Sequence, residues 1–562
     1  MSLRANAFMK DSILIFHGYL LRGTGSNVYN ANLARALVKL GYEVHLLCQE
    51  QYPQDFDFVD TVADCDGETI HVRMQRTPRF NGRCTVYRPN IAGLLPVYVF
   101  DRYEGFEVRT FPELTDEELE RYISANVAAV RGVALAYKPE FALANHEIMG
   151  PFILCQALAD IIPYAMKVHG SALEYTIKPY PRFLPYAREG ILGARTVLVG
   201  SRHMAVRVLA TIDAPELASR IRLGPPGVNV EAFTPRDQQA KINGLRQVTE
   251  HFSDMPRTGF NRAAAKQLDR LSGQGIPAWP ELLAVRESYD PDGIDEDAPT
   301  DVATLDPTTH RIIAYVGKLI VSKGVDLLLC AWPLMLAREP QAKLLVVGFG
   351  TYREGLELLL RAIESGHLAA IHQVIQQGRA LEGEPPDRLS YLEAFFNKLS
   401  DEQRAAYFHA AQGIRCSLIF TGKLGHEILV DLLPAAEALV VPSTFPEAFG
   451  MVAAEAAASG VWPIVANHSG LAEVAEVLAK VVPPEHKDLL TFEVGPNAVQ
   501  EIADRLNTWL ALPSEERTHL TKAIREVTVK LWSWEGVAHT VLAACAGRLD
   551  ELPAPVLPSH PY

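Results

Sequence analysis

The stretch Val441-Pro-Ser-Thr-Phe-Pro-Glu447-Ala-Phe-Gly-Met-Val-Ala-Ala-Glu455-Ala-Ala-Ala-Ser-Gly460, continued by Gly470-Leu-Ala-Glu473, decides how the rest of the chain is read. An apolar run from Ala438 to Val441 stops at Pro442-Ser443, a turn carries Glu447, and an Ala-rich segment from about Phe449 to Ser459 reads as a helix closed by Gly460. A helix opening there leaves the amides of Ala448, Phe449 and Gly450 without helical partners, a place that favours an anion or a hydroxyl-bearing ligand. Glu455 follows Glu447 by eight residues, which sets two acceptor-only carboxylates on one helix face and suits a polyol. The same residues, taken alone, also allow a plainer reading in which Glu447 caps the first turn and Glu455 is solvated.

With 562 residues the chain exceeds what one hydrophobic core supports and fits two domains with insertions. Its composition, 48% hydrophobic and 21% charged, is that of a globular protein, and a formal charge of −14 disfavours a nucleic-acid backbone or an anionic bilayer as main partner. Seven scattered cysteines without C-x-x-C spacing read as reduced core residues of a cytosolic protein. No opening stretch has the order of a signal peptide, and apolar runs such as Leu327 to Ala337 fall short of the ~20 residues that span a bilayer. A soluble, cytoplasmic protein is expected, with its oligomeric state open.

From the N-terminus, a strand at 12–17, a glycine-bearing loop from Gly18 to Gly25, a helix from Asn27 to Leu40 and a strand from Val44 to Cys48 make a βαβ unit. Gly23 and Gly25 permit close approach of a phosphate or a sugar. Glu50 would suit the ribose of a dinucleotide, but Val28 stands where the third glycine of G-x-G-x-x-G belongs. Residues 59–74 read as a hairpin turning at Asp66-Gly67, which accounts for Asp64-Cys65-Asp66 better than a metal-binding D-x-D does. An amphipathic helix from Glu117 to Tyr137 precedes a strand, Phe141 to Asn145, that ends in His146-Glu147. The strand Ala165 to Val168 leads into His169-Gly170-Ser171, and polar residues just past strand ends line the ligand crevice of an open parallel sheet. Another strand runs from Thr196 to Ser201.

Later, the strand Arg311 to Val316 is followed by Gly317-Lys318-Leu319 and by Lys323-Gly324. Two cations five residues apart can neutralise a diphosphate, although an isolated pair of this kind is commonly just solvated. Strands at Lys343 to Val347 and Val461 to Ala466, helices at Ala498 to Ala511 and Ser514 to Leu531, and a last helix from Ser533-Trp534-Glu535 complete the reading. The Pro-rich end, Leu552 to Tyr562, reads as frayed.

In order, these motifs resemble those of retaining glycosyltransferases of family 4, whose usual wording includes P-S-x-x-E-x-F-G-x-x-x-x-E-A-x-A-x-G and G-R-L-x-x-x-K-G. The turn between Ser443 and Glu447 is one residue longer than usual, and Lys318 stands for the usual Arg. The resemblance implies an α/β protein of the GT-B fold, two Rossmann-like domains whose parallel sheets face a central cleft. It places an acceptor-side domain at 1–230, with a helix at 533–551 returning to it, and a nucleotide-sugar domain at 231–532. The crossing lies between Gly224 and Pro235. Two stretches exceed the family pattern and read as helical insertions. The first, about 236–307, is weakly helical at Lys241 to Phe252 and Ala263 to Leu271, with a mobile acidic tail at Asp290 to Asp306. The second, about 365–412, carries helices at Leu381 to Lys398 and Glu402 to Gln412.

The resemblance also implies roles. Glu447 would hold hydroxyls of the donor sugar, Glu455 the ribose, and His169 an outer sugar hydroxyl. Lys318 and Lys323 would face the diphosphate, aided by Gly23 and Gly25, by Gly317, and by the amides of Ala448, Phe449 and Gly450. Gly422 and Leu424 would lie beside the nucleobase. The implied activity is transfer of a hexosyl group from a nucleotide-diphospho-sugar, UDP- or GDP-linked, to a soluble sugar, polyol or glycan. It would proceed with retention and without a metal or other cofactor. A competing class is a GT-B-fold protein that binds nucleotide-sugars or regulates without turnover. A phosphorolytic relative is a third, for which the chain shows no pyridoxal-phosphate lysine signature.

Overall fold

Short strands, buried on both faces, form the centre of each half of the chain, as parallel sheets covered by helices require. The computed structural model describes residues 11–98, 103–159, 161–273 and 275–557. The chain divides into two units, Met1–Gly227 with Leu531–Tyr562, and Val228–Lys530.

The first unit begins with β1 (Ser12–Phe16), β2 (Glu43–Leu47), β3 (Thr61–Asp66), β4 (Thr69–Gln75) and β5 (Arg83–Pro89). Two strands, β6 (Leu94–Val97) and β7 (Glu107–Thr110), pair in parallel with each other. Then follow β8 (Phe141–Asn145), β9 (Tyr164–Lys167), β10 (Thr196–Val199) and β11 (Ile221–Leu223). The large sheet runs β11-β10-β9-β8-β1-β2-β5-β3-β4. Within it, β3 and β4 form the antiparallel hairpin expected from Asp66-Gly67, with Gly67 at φ +57°. Asp64 there accepts from Arg73 Nε at 2.7 Å and Arg88 Nε at 2.8 Å. The first helix, Gly25–Lys39, starts two residues ahead of the expected Asn27, so Gly25 lies in its first turn. The late helix Trp534–Cys545, capped by Ser533 on the amide of Gly536, packs back on this unit. Trp534 meets Tyr29 edge to face at 5.5 Å, and Cys545 Sγ donates to the carbonyl of Ala142 at 3.3 Å.

In the second unit, β12 (Arg311–Val316), β13 (Ala342–Val347), β14 (Leu418–Gly422), β15 (Ala438–Val441), β16 (Trp462–Ala466) and β17 (Thr491–Phe492) are all parallel, in the order β14-β13-β12-β15-β16-β17. The chain therefore winds outward from β12 in one direction and resumes beside it at β15. In the first unit the same reversal falls between β1 and β8. Loops leaving the carboxyl ends of such strand pairs diverge and leave room for ligands.

The insertions differ from their expected form. Helices Gln238–Asp254, Arg262–Ser272, Trp279–Arg286 and Ala298–Ala303 fill the first. Its acidic stretch is packed and not a loose tail: Ile294, Ala298 and Val302 are buried, and Asp295 pairs with Arg353 Nη2 at 3.1 Å. Arg353 also pairs with Glu357 and lies 3.9 Å over the ring of Phe420. In the second insertion the expected helix from Leu381 to Lys398 is broken. A 3₁₀ turn, Arg379–Glu382, stops at Gly383 (φ +88°), and Pro385-Pro386 cannot supply helical N–H groups, so helix Ser390–Lys398 starts afresh. Helices Leu368–Gln377 and Asp401–Ala411 flank it.

Burial acts to raise the pKa of Glu357, yet Arg353 and Arg415 hold it down at about 2. Arg353→Met should therefore leave the buried Asp295 without its cation and Glu357 with Arg415 alone, at a cost of about 3–5 kcal/mol. The check is the urea midpoint of the second unit's unfolding; a loss below about 1 kcal/mol would show that Asp295 and Glu357 do not depend on Arg353.

Candidate functional site

Glu447 follows β15 by six residues and is set by contacts from two neighbouring loops. Helix Met451–Ala458 begins two residues after the expected start at Phe449, so Glu447 to Gly450 form an open loop and not a first helical turn. The reason lies in the next helix, Ser469–Leu478. A Cβ on Gly470 would come within 2.7 Å of the Cα and N of Phe449, so only glycine lets that helix end press on this backbone. Two hydrogen bonds close the contact: Glu447 N–H donates to Ser469 Oγ, and Gly470 N–H donates to Glu447 O, each at 2.9 Å. Among the described residues the amides of Ala448 and Gly450 donate no hydrogen bond.

The carboxylate of Glu447 accepts from Ser443 Oγ at 2.6 Å and pairs with Lys323. Lys323 closes the 3₁₀ turn Val321–Lys323, and the next residue, Gly324, has φ +64°. A Cβ on Gly324 would lie 1.9 Å from the carbonyl oxygen of Pro442. The Ser443 to Glu447 turn is tied to this loop, because Ser322 O accepts from both Thr444 N (2.9 Å) and Phe445 N (3.2 Å). The exposed Lys318 stands in the same loop, its carbonyl held by Tyr315 Oη at 2.7 Å. Gly317 N–H donates to Val347 O at 3.0 Å. The structure thus joins Lys323 to Glu447 and leaves the side chain of Lys318 in solvent.

Glu455, only 4% exposed, lies apart from that pair and not on a shared helix face with Glu447, which precedes the helix. Its Oε1 is 3.1 Å from Nε2 of His426, the first residue of helix His426–Leu432. That hydrogen bond, against burial, raises the pKa of His426. In the sequence, His426 stands without a role. Gly422, at φ +74°, is covered on its Cα side by the first insertion, since a Cβ there would meet Gly293 O at 2.2 Å. Asp295 N–H donates to Thr421 O at 3.2 Å, and Leu424 is half-buried beyond it. Gly422 therefore serves as a seat for the insertion.

In the first unit, loops after β1, β8 and β9 bring together a buried polar cluster. Gly23 and Gly25 border it in sequence, and a Cβ on either would meet no protein atom within 4 Å. Glu50 is engaged by the amides of Leu21 (2.9 Å) and Tyr52 (3.3 Å), which removes it as a ribose ligand. His17 Nε2 donates toward Asn27 Oδ1 and Leu20 O, both at 2.9 Å, while Asn30 Nδ2 donates to His17 Nδ1 at 3.0 Å, an arrangement that assigns the tautomer. His169 Nε2 is held by Asn145 Oδ1 at 2.9 Å. Its ring lies 4.6 Å from that of His146, whose two nitrogens are buried without partners among the described residues. Burial, together with the cost of placing a charge beside His17 and, for His169, beside His146 and Lys167 as well, keeps both His146 and His169 well below the usual imidazole range, so both are neutral near pH 7. Asn145, Lys167 and His17 were not singled out in the sequence, where they read only as residues at strand ends.

Behind them, Glu147 accepts from Gly170 N at 2.7 Å, and Lys167 Nζ donates to Gly224 O at 2.5 Å. Burial pushes Glu147 up from 4.5 to about 7 and Lys167 down to about 7. Between 4.5 and about 7 the folded unit keeps a proton on Glu147 that the unfolded chain has lost, so the stability from this group is present below that window and lost as pH rises through it. Glu147→Gln keeps the acceptor for Gly170 and cannot titrate. From about pH 5 to about pH 8 this variant should gain up to about 3 kcal/mol on the native protein, read from melting curves at each pH. A constant difference would show that Glu147 does not ionise inside the folded unit.

Residues 24–227 match the family model of the glycosyl transferase 4-like domain, and residues 398–527 match that of glycosyl transferases group 1. An uncharacterized glycosyltransferase of Methanocaldococcus jannaschii is 23% identical over 262 residues, 46% of this chain and 47% of that protein. Mannosylfructose-phosphate synthase of Agrobacterium fabrum is 25% identical over 241 residues, 42% of this chain and 41% of that protein. The chain thus spans less than half the length of these curated relatives. Among solved structures, the catalytic domain of starch synthase IV from Arabidopsis thaliana, bound to ADP and acarbose, shares the fold with a TM-score of 0.52 and 12% identity over 96% of this chain and 99% of that one. One matched domain falls in each unit, and the chain belongs to the group 1, family 4-like glycosyltransferases of the GT-B fold.

Proposed function

We propose that the protein transfers a hexosyl group from a nucleotide-diphospho-sugar, UDP- or GDP-linked, to a soluble sugar, polyol or glycan, keeping the anomeric configuration. The observation that carries this reading is the Glu447 carboxylate held by Ser443 and Lys323, on two loops that meet where the strand order reverses. One carboxylate oxygen is thereby oriented by protein donors, and the other is available to hydroxyls of a sugar. As the bond to the anomeric carbon breaks, negative charge grows on the departing diphosphate. Lys318 and Lys323, with the amides of Ala448 and Gly450, are the groups of this unit that would meet it, without a divalent ion or other cofactor. Glu455, fixed by His426, would accept from the ribose hydroxyls. In the first unit, His169 stays neutral with its ring oriented by Asn145, which suits it to a sugar hydroxyl and not to an anion. The ADP bound by the starch synthase neighbour is a reason to test adenine beside uracil and guanine.

A second reading, binding without turnover, draws on the same pair, because Lys323 is already engaged by Glu447. Turnover separates the two. With a saturating donor and excess EDTA, Lys318→Ala and Lys323→Ala are each expected to keep their melting temperature. Lys323→Ala should lose ~10²–10³ in kcat, the scale of one preorganised electrostatic donor, and the unrestrained Lys318 should cost less when removed. A normal kcat with a lowered melting temperature would make these lysines structural, and activity that returns only with Mg²⁺ or Mn²⁺ would restore a role for metal.

Glu455→Ala should weaken the best-binding nucleoside diphosphate about ten- to a hundredfold, the loss of a charge-assisted hydrogen bond worth ~1.5–3 kcal/mol. Calorimetry with UDP, GDP and ADP measures it, and unchanged affinity would exclude the ribose role.

A further inference from the structure

The two insertions are packed against each other and reach both loops of the second unit's candidate site. Gly383, in the second insertion, lies under Trp279 of the first, where a Cβ would come within 2.8 Å of the indole. Gln377 Nε2 donates to Ile276 O at 3.2 Å, a further tie between them. From the first insertion, Gly293 to Asp295 rest on Thr421 to Lys423, and Ile294 bridges Gly422. From the second, Glu382 reaches the loop that carries Lys323. Its Oε2 accepts from Val321 N at 2.8 Å, and its Oε1 is held by Arg379 Nε at 2.9 Å.

Val321 opens the 3₁₀ turn Val321–Lys323, so its amide has no partner within the turn, and a buried carboxylate supplies one. Burying a carboxylate is costly unless it is paired and hydrogen-bonded, and Arg379 with the Val321 amide meets both conditions. The next residue, Ser322, holds the amides of Thr444 and Phe445 through its carbonyl, and the one after is Lys323, paired with Glu447. We propose that Glu382 is a positioning residue: through Val321 it fixes the loop that sets the Lys323–Glu447 pair, so that the insertions act as a rigid support for the donor loops. What those loops hold rests on the reading given under the proposed function, whereas the support itself does not.

Hydrogen exchange on the full chain tests it without any ligand. In Glu382→Ala, peptides covering 319–325 and 442–448 should exchange about tenfold faster, the effect of losing one charged hydrogen bond to a loop amide. Glu382→Gln, whose single amide oxygen can serve Val321 N–H while its NH2 faces the Arg379 donor, should restore part of that protection, and peptides covering 353–363 should be unchanged in both variants. Native exchange at the two loops in Glu382→Ala, or a uniform rise across 228–530 with a lower melting temperature, overturns the proposal. Calorimetry of the unaltered protein with UDP, GDP and ADP runs alongside. If none binds, the donor reading fails, while the exchange result still decides the role of Glu382.

Discussion

The approach of Gly324 to Pro442 is the constraint on which the second unit's site depends. An atom in place of the glycine hydrogen would sit 1.9 Å from a carbonyl oxygen, and the backbone there has φ +64°, so only glycine satisfies both conditions. The parallel sheet brings the loops after β12 and β15 side by side, and this contact sets their separation. Once it is made, Ser322 O can receive two amides of the opposite loop, and Lys323 can reach Glu447. A third loop is held by the same device, since Gly348 lies where a Cβ would be 1.9 Å from Gly317 O. Close backbone packing thus does the positioning, and the polar side chains occupy places that the glycines determine.

Strands such as Phe141–Asn145, Arg311–Val316 and Ala438–Val441 were legible because each is an apolar run bounded by turn residues, a signal contained within itself. What stayed hidden depends on distant partners. Helix Met451–Ala458 starts later than its Ala-rich composition suggests because Gly470 presses on the preceding loop from twenty residues away. Glu455 meets His426 across 29 residues, a pairing that no local period encodes. The stretch around Asp295 resembled a solvated acidic loop, since a buried arginine 58 residues on leaves no trace in the local pattern. The two-residue strand Thr491–Phe492 is too short to have one at all.

The first unit stores its information differently. His146, Glu147 and Lys167 read in the sequence as polar residues near strand ends, and the structure buries all three. A carboxylate and an ammonium without full solvation raise the free energy of the fold, and such clusters concentrate where chemistry or ligand binding uses them. Here the carboxylate holds the amide of Gly170, next to His169, and the ammonium holds the carbonyl of Gly224 beyond the end of β11. Both are ties on loops at the carboxyl edge of the sheet, the edge to which the strand reversal between β1 and β8 also points. Fold geometry and buried electrostatics select the same rim independently.

The two lysines that one motif supplies are not equivalent charges. Lys323 shares its ammonium with Glu447, and an ammonium has three donors, so an approaching phosphate oxygen can join that pair without displacing it. Under the proposed reading the carboxylate would offset part of the attraction in the ground state, and the attraction would recover as charge accumulates on the leaving oxygen. Lys318 stands in solvent with its long side chain unrestrained, so holding a phosphate costs it rotamer entropy that Lys323 has already lost on folding. An arginine at 318 would offer a planar fork and lose less freedom per hydrogen bond formed. With lysine there, preorganisation falls to Lys323, to Glu447 and to the loop contacts that hold them together.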